Sequence, residues 1–474
     1  MKTKKISGRL LLSALASIAV LSGCSSVEPL LQEDHGSLIQ KQWNAPVAQS
    51  LTVQTNANWW KAWENDELIA LIELAQKNNT DVRQALANVR SAAAQADLAT
   101  ANLFPSLGLS GQGTHSRQNH SSSDRWSAQG DGTWSFSLIG GNLAERRAAL
   151  YEAQSSVMTL EDVRIAIASE VAQNYIQLKL AYVKREIAQQ TLSNYVEASH
   201  IAGWRYEAGL VDQTDVDQSL SNVESARAQI PVIEASIQRY VNALARLTVQ
   251  NAADVKVKAT AEVPIAPAGI SISFPAQTLN QRPDLRAAEM QLLAAAERVY
   301  VANAQRFPTL RLSGNLGTQA ATLSALGASG TGVAALVGAL SMPLFNWAEQ
   351  VTSTEVAKAQ LEKAQVAYTA TLVGALEETE NALNGIASAQ TRTVSLALAR
   401  KAAESAADLA LQQYRAGLVD YQNVLNTQRS LFSARDAEQV NNADLATQLV
   451  VLYRAVGGGW TPDDTNQIDT SKKE

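Results

Sequence analysis

The 474-residue sequence contains few of the residues that build disulfide frameworks or metal centres. It has 1 cysteine and 4 histidines, which excludes a disulfide framework and a cysteine-rich metal site. The histidines do not show metal-ligand spacing on a helix; they are His35, His115, His120 and His200. The sequence therefore predicts neither a metal nor a cofactor.

Signatures of catalysis and of nucleic-acid binding are also missing. There is no G-x-S-x-G segment and no phosphate-binding loop. Glu377, Glu378 and Glu380 fall within a long helical pattern, where a charged helix face explains them better than acid/base catalysis. The net charge is −6, with no basic cluster after residue 24, so nucleic acid is excluded as a partner. We expect a protein that is not an enzyme and has no catalytic residues.

Proline and aromatic residues are scarce, and long apolar runs are missing from the main part of the chain. There are 11 prolines, and aromatics make up 5% of the residues. Alanine, glutamine, serine and leucine fill long stretches, which is the composition of long helices. No stretch after residue 21 has the 18 or more apolar residues of a membrane helix.

The N-terminus has the pattern of a secretory signal. Four basic residues precede an apolar run at 10–21 that is too short to span a bilayer. The run ends in Leu21-Ser22-Gly23-Cys24, which resembles the bacterial lipobox. We predict a signal peptide at 1–23 and a lipid on Cys24 that inserts into the outer membrane, since Ser25 resembles the outer-membrane sorting pattern. The alternative is an ordinary signal in which Cys24 is incidental.

The rest of the chain is built from two copies of one unit. AGLVD occurs at 208–212 and again at 416–420, and the segments 81–111 and 284–314 match each other through a shared Phe-Pro and a shared Leu-Ser-Gly. The alternative is two unrelated helix-rich domains with similar turns. We expect the following segments: a lipid-anchored segment at 24–57, a first repeat at 58–248, an equatorial linker at 249–280, a second repeat at 281–456 and a tail at 457–474.

Each repeat also contains a sequence pattern that predicts membrane β-strands, although this pattern is weaker than that of a membrane helix. In 125–138 apolar and polar residues alternate strictly, and Trp126, Trp134 and Phe136 share the apolar face. We predict strand hairpins at about 104–138 and 307–345, with polar tips at 118–124 and 324–330 and with these aromatics as a membrane-interface girdle. The alternative is a hairpin of a small soluble sandwich. Four strands cannot close a membrane barrel, which needs about eight, so the protein must oligomerise.

The helical stretches are longer than those of an ordinary globular domain. Nothing breaks the pattern from Leu143 to about Glu207, which corresponds to roughly 100 Å of helix. Each repeat is expected to pair one long helix with two shorter ones and to close at a tip, at about 206–217 and 414–426. Gly209 and Gly417 occupy the left-handed position of these turns, and Asp212 and Asp420 can cap the helices that follow.

These motifs resemble the TolC-like outer-membrane factors, in particular the lipoprotein subgroup that works with resistance-nodulation-division pumps. The matching features are the lipobox, the segment 58–85, both Phe-Pro strand openings and both YxAGLVD tips. The resemblance implies a mainly α fold with a membrane β-barrel: a homotrimer in the outer membrane with a 12-stranded β-barrel and a 12-helix periplasmic α-barrel. Ser137 and Gly141 depart from the family, which often has Asp and Arg there.

The implied function is a passive exit duct for small molecules such as drugs and toxic compounds. Its partners would be a periplasmic adaptor and an inner-membrane resistance-nodulation-division pump. The alternatives are the duct of a type I protein secretion system and a periplasmic coiled-coil lipoprotein without a pore.

Two groups of tip residues are the candidates for docking and gating. Exposed apolar residues beside the turn glycines predict adaptor docking, or else packing between neighbouring tips; the set is Gly209, Leu210, Val211, Gly417, Leu418 and Val419. Relatives narrow the tunnel at this tip, often with Asp where this chain has Asn423 and Asn426. Their counterparts 208 residues earlier are Asp215 and Gln218. The alternative is that the asparagines only cap or solvate the helix start.

Overall fold

A computed structural model of the chain describes residues 43–45, 58–119, 121–264, 281–345 and 347–458. The signal peptide, Cys24, His35, His120, linker residues 265–280 and the tail from 459 onward lie outside the described residues.

Seven α-helices and four strands make up most of the described chain. In chain order the helices are α1 (Asp66–Asn78), α2 (Thr80–Ala101), α3 (Gly141–Glu207), α4 (Gln213–Thr248), α5 (Pro283–Ala304), α6 (Trp347–Arg415) and α7 (Tyr421–Ala455). The strands are β1 (Ser106–Gln118), β2 (Ser121–Ser137), β3 (Thr309–Ala320) and β4 (Gly332–Ser341). Short 3₁₀ turns occupy Trp59–Trp63, Ala252–Asp254 and Leu323–Ala325. The predicted order of elements is therefore confirmed in both repeats.

The two long helices run without interruption, as the sequence predicts. α3 contains 67 residues and α6 contains 69, and neither includes a proline. Pro231 lies within the shorter helix α4, which continues past it. A proline there removes one backbone hydrogen bond, which an exposed helix tolerates more easily than a buried one.

Both helical hairpins close with the same glycine turn. Gly209 has φ +71° and Gly417 has φ +74°, the left-handed conformation that favours glycine. In each turn the amide after the glycine donates to a carbonyl five residues back, from Leu210 to Arg205 at 2.8 Å and from Leu418 to Gln413 at 2.9 Å. Asp212 and Asp420 cap the helices that follow, as predicted.

The four strands form one antiparallel sheet in the order β1-β2-β3-β4. The first hairpin is longer than the sequence predicts. Residues 118–124 were expected to form a polar tip, but β1 reaches Gln118 and β2 begins at Ser121. Polar pairs extend the ladder toward the tip, because the hydroxyls of Ser116 and Ser123 lie 2.8 Å apart and His115 Nδ1 lies 2.5 Å from Asp124 Oδ1.

The junction between β2 and α3 explains the departure at Ser137 and Gly141. The Ser137 amide donates to Asn142 Oδ1 at 2.8 Å, and Gly140 has φ +84°. A Cβ on Gly141 would lie 2.9 Å from Ala304 Cβ, so the close approach of α5 requires glycine at this position.

The described residues divide into two compact units. The first comprises described residues in 89–156 and 287–369 and contains the whole sheet. Its helical part packs a cluster formed by Leu292, Ala296, Val299, Ala302, Ala357 and Leu361. Arg147 bonds Glu297 with two nitrogens at 2.7 and 2.8 Å, and Glu297 is buried, so this bidentate pair joins α3 to α5.

The second unit comprises the other described residues and contains both glycine turns. Trp59 is buried and stacks on Tyr453 with ring centroids 5.0 Å apart. An apolar stripe along α3 is buried here; its members are Leu160, Ile167, Val171, Tyr175, Leu178 and Tyr182. Glu378 and Glu380 act as a charged helix face, since Glu378 pairs with Arg282 and Glu380 accepts the Asn44 amide.

None of the described helices combines the length and the apolar character needed to cross a membrane.

Candidate functional site

The predicted docking residues lie at the two glycine turns, but they are not equally exposed. Leu210 is 68% exposed and Leu418 is 75% exposed, whereas Val211 and Val419 are half-buried. Val419 packs against Ala198 and the neighbouring tyrosines, so the expectation that all four side chains are exposed is wrong for the valines. Each turn therefore presents one leucine to solvent.

A pair of buried tyrosines lies beside the second turn. Tyr414 and Tyr421 are buried, with ring centroids 5.8 Å apart, and they pack with Ala198 and Val424. The guanidinium of Arg205 lies 4.8 Å from the Tyr414 ring centroid, and its Nη1 donates to the Tyr414 carbonyl at 3.1 Å. Burial raises the pKa of Tyr414, which stays neutral and packs as an apolar side chain.

Tyr414 entered the sequence-based prediction only through the match between the repeats, and Tyr421 was not singled out. The Y-x-A-G-L-V-D pattern places Tyr414 on the last turn of the helix, but it does not predict burial, because Tyr206 in the same pattern is 45% exposed.

The four predicted gate residues follow the two turns. Asp215 is half-buried, while Gln218, Asn423 and Asn426 are exposed. The carboxylate of Asp215 lies close enough to Tyr414 to contribute to its raised pKa. Asn423 is not the helix cap, because Asp420 takes that role by accepting the Asn423 amide at 2.9 Å. The asparagine side chains are thus left to face solvent on α7, with Val424 and Leu425 buried between them.

The predicted girdle aromatics lie on β2 in two environments. Trp126 is 37% exposed and lies over Gly113, its partner on β1, where only a glycine leaves room for the indole. Trp134 and Phe136 are half-buried with ring centroids 4.7 Å apart, and Trp134 Nε1 donates to the Leu103 carbonyl at 3.0 Å. Trp134 therefore also anchors the chain that enters the sheet.

The sheet exposes a large amount of apolar surface. Its most exposed leucines are Leu107 (87%), Leu109 (90%), Leu316 (72%) and Leu336 (84%). Leucines exposed to this degree on a sheet indicate contact with lipid or with another chain.

A buried charge network holds the segment after α4 in place. It was not predicted from the sequence. Lys179 on α3 is 4% exposed, and its Nζ donates to the Lys258 carbonyl and to Thr260 Oγ1, each at 3.0 Å. The same ammonium lies 3.2 Å from Glu67 Oε2. Glu67 in turn accepts from the Tyr175 hydroxyl at 3.0 Å and from the Lys258 amide at 3.1 Å.

This network sets the charge state of Glu67. Burial acts to raise the pKa of its carboxyl, but the Lys258 amide, the Tyr175 hydroxyl and the Lys179 ammonium outweigh burial and hold that pKa below its ordinary value. Glu67 is therefore ionised at neutral pH and neutralises the buried Lys179.

A four-stranded sheet with an exposed apolar face, joined to helices of 67 and 69 residues that return at glycine turns, defines the protomer of an outer-membrane channel. The profile of the family described as "Outer membrane efflux protein" matches residues 71–249 and 274–458. The chain belongs to the outer membrane efflux protein family.

Individual relatives agree with this assignment. The pyoverdine export outer membrane protein OpmQ of Pseudomonas putida is 30% identical over 89% of this chain and 92% of its own length. The cation efflux system protein CusC of Escherichia coli O157:H7 is 28% identical over 85% and 89%. Among solved structures, the outer-membrane channel OprN matches with a TM-score of 0.84 and 27% identity over 89% of this chain and 98% of that one.

The fold and function predicted from the sequence are thereby confirmed. The protein is the outer-membrane channel of a tripartite efflux system; it forms trimers with a 12-stranded β-barrel and a 12-helix α-barrel and works with a periplasmic adaptor and an inner-membrane pump. Secretion of proteins and a role as a spacer without a pore are not supported by these relatives.

Proposed function

We propose that this chain forms a passive exit duct for small molecules, gated and docked at its two glycine turns. The observation that carries the proposal is the sheet order. Within the described part of the chain, β1 and β4 each pair with one strand, which leaves two open edges. In lipid, open edges must be paired, and head-to-tail contact of three four-stranded sheets closes twelve strands.

Reconstitution of the purified trimer into planar bilayers tests the duct. We expect discrete conductance steps from the wild-type protein when an applied voltage opens the gate, which is closed at rest. Absence of any discrete conductance from trimers that insert into the bilayer would overturn the proposal.

We propose that the two turns dock the adaptor through Leu210 and Leu418. Both side chains extend into solvent from a rigid left-handed turn, so a partner can bury them without refolding the tip. The glycines hold the left-handed turns, and Val419 packs against the buried cluster beside the second turn.

The variant Leu210→Ser with Leu418→Ser should retain normal trimer abundance, because both leucines are exposed. Efflux and crosslinking to the adaptor should be lost, since burial of each leucine contributes roughly 2 kcal/mol. Val232→Ser is the matched control, because Val232 is 60% exposed on α4 away from the turns. Normal efflux in the double variant would contradict the docking role.

We propose that Asp215, Gln218, Asn423 and Asn426 form the periplasmic gate. In a trimer the two asparagine rings carry no formal charge, so Asp215 supplies the main local field. Amides select weakly between ions and can hydrogen-bond neighbouring tips, which predicts a channel that is closed at rest with a modest cation preference.

Asn423→Asp with Asn426→Asp should make the channel clearly more cation-selective and more sensitive to block by divalent cations. Reversal potential under a salt gradient measures this change. Gln238→Asp with Asn242→Asp is the matched control, because it adds the same charge to exposed positions on α4. An unchanged reversal potential in the gate variant would place the constriction elsewhere.

Several finer assignments are part of the same proposal. The repeats span 58–248 and 281–456, the residues between and around them form an equatorial belt, and the pump is of the resistance-nodulation-division type. Trp126, Trp134 and Phe136 form the interface girdle.

Cys24 carries the lipid anchor, which mass spectrometry of the N-terminal peptide would test. The chain catalyses no reaction, so the pump supplies the energy.

A further inference from the structure

The two faces of the four-stranded sheet differ in chemical character. Cross-strand partners in an antiparallel ladder share a face, and one face carries the exposed leucines Leu107, Leu109, Leu316 and Leu336. In the trimeric barrel the leucine face contacts lipid. The opposite face therefore lines the interior of the barrel, and we call it the lumen face.

On β1, β2 and β3 the lumen face is polar. The Ser110 hydroxyl donates to Asp131 Oδ2 at 2.5 Å, which joins β1 to β2. Asn315 Nδ2 donates to Gln129 Oε1 at 3.1 Å, which joins β3 to β2. Side chains of this kind are expected on the wall of a water-filled channel.

The lumen face of β4 is different. Its residues from 333 to 339 are apolar, and we call them the lumen stripe: Val333, Ala335, Val337 and Ala339. Polar character returns at Ser341, whose hydroxyl lies 3.1 Å from Thr309 Oγ1. Lipid contact does not explain the stripe, because the register pairs Val337 with the polar Ser313 on the same face.

The lumen stripe is open over most of its length. Val337 is 53% exposed, Ala335 and Ala339 are exposed, and Val333 is half-buried. Pairing of β4 with a neighbouring subunit uses backbone groups at its edge, so these side chains still project into the interior. Seven strand residues cover roughly 20 Å of the wall. An exposed apolar surface of this length in a duct can bind the apolar part of a passing molecule.

A cation lies directly beside the lumen stripe. Arg311 on β3 is the register partner of Ala339 and is exposed on the lumen face. Among the described residues, no acidic side chain pairs with it. The charged residues on the lumen face of the strands are Arg125, Asp131 and Arg311, so two cations against one anion leave one positive charge per chain.

We propose that the lumen stripe and Arg311 form a transit site for amphipathic organic anions. The stripe contacts the apolar body of the molecule, and the guanidinium binds its carboxylate or sulfonate. This inference rests on the proposed duct and names a class of small molecule that the interior holds. The trimer carries three such sites, and each is weak because it is open to water, so the molecule can leave again.

Interruption of the current through open channels in planar bilayers tests the site. Naphthalene-2-sulfonate is added on the side of the barrel while a voltage holds the channel open, and the mean duration of each interruption is measured. Two comparison solutes separate the two parts of the site. Methanesulfonate has the charge without the apolar body, and trimethyl(2-naphthylmethyl)ammonium has the apolar body with the opposite charge.

Val333→Thr with Val337→Thr should shorten the interruptions about tenfold, because two apolar contacts are lost while the branched side-chain shape is kept. Arg311→Gln should shorten them up to about fivefold and should remove the preference for the anion over the cation. Ser341→Thr is the control for the stripe, since it lies on the same face beyond it. Arg125→Gln is the control for charge, because β3 lies between this arginine and β4.

Wild-type channels should be interrupted by naphthalene-2-sulfonate and far less by either comparison solute. Uninterrupted current in the wild type would mean that another part of the trimer covers the stripe, and would rule the site out. Equal interruption by the naphthyl cation, unchanged durations in either variant, or an equal change in its control would also rule it out. A wild-type trimer without conductance under voltage would instead refute the duct, and this inference with it.

Discussion

Replacing Gly317 with valine should prevent the protein from forming a folded trimer in the outer membrane. A Cβ at this position would lie 2.3 Å from the Ala128 carbonyl oxygen and 2.5 Å from Gln129 Cα, both of which belong to the backbone of β2. A backbone cannot yield as a flexible side chain does, so β2 and β3 would have to separate. Each ladder hydrogen bond lost there removes about 1 kcal/mol, and its unpaired groups are exposed to lipid.

Gly108→Val provides the control for this prediction. Gly108 is also a strand glycine, but nothing lies within 4 Å of its added Cβ. Heat-modifiable migration of outer-membrane extracts on gels measures the trimer for both variants. If Gly317→Val formed as much trimer as Gly108→Val, the β2–β3 register would be wrong.

Glu67→Gln should destabilise the second unit by about 2 kcal/mol at neutral pH, the scale of a lost hydrogen bond to a charged group. The substitution removes the carboxylate that neutralises Lys179, and the buried ammonium is left with a carbonyl and a hydroxyl. We expect the trimer to dissociate at a lower temperature and the segment around Lys258 to become sensitive to protease.

The loss of stability caused by Glu67→Gln should depend on pH in a definite direction. The folded pKa of Glu67 is lowered, so its contribution to stability is present above the unfolded pKa and is lost as pH falls through the folded pKa. The difference between wild type and Glu67→Gln should therefore be full at pH 7 and should shrink in acid. Glu73→Gln, at an exposed position on the same helix, should show no such difference. A gap between wild type and Glu67→Gln that persists at acid pH would contradict this account of the network.

The sequence predicted the parts of the fold that rest on local rules. The left-handed glycines and the aspartate caps were predictable because each depends on a few neighbouring residues, and the long helices because nothing interrupts α3 or α6. The extent of the first hairpin could not be predicted, because His115, Ser116 and Ser123 have weak strand preference and form their pairs only across the ladder.

The contacts that complete the candidate site could not be predicted from the sequence, because they join residues that are far apart along the chain. Lys179 and Glu67 are 112 positions apart, and each taken alone fits the polar face of an ordinary helix. The sequence also does not show that Tyr414 is buried and Tyr206 is exposed, because both tyrosines occur in the same YxAGLVD motif. Their exposure depends on which hairpin each tyrosine packs against. Val419 was expected to be exposed because it lies at a hairpin tip, but it packs against the cluster that contains Ala198 and Tyr414.

The open edges of the sheet also govern how this protein reaches its membrane. A lone subunit would present two rows of unpaired amides and carbonyls to hydrocarbon, which costs several kcal/mol for each group left unsatisfied. Insertion and association must therefore occur as one step, and the yield of channels should rise more steeply than the amount of chain synthesised. A cell that makes too little of this protein would have disproportionately few working channels and a larger share of unassembled subunits, so degradation of unassembled chains becomes part of controlling export.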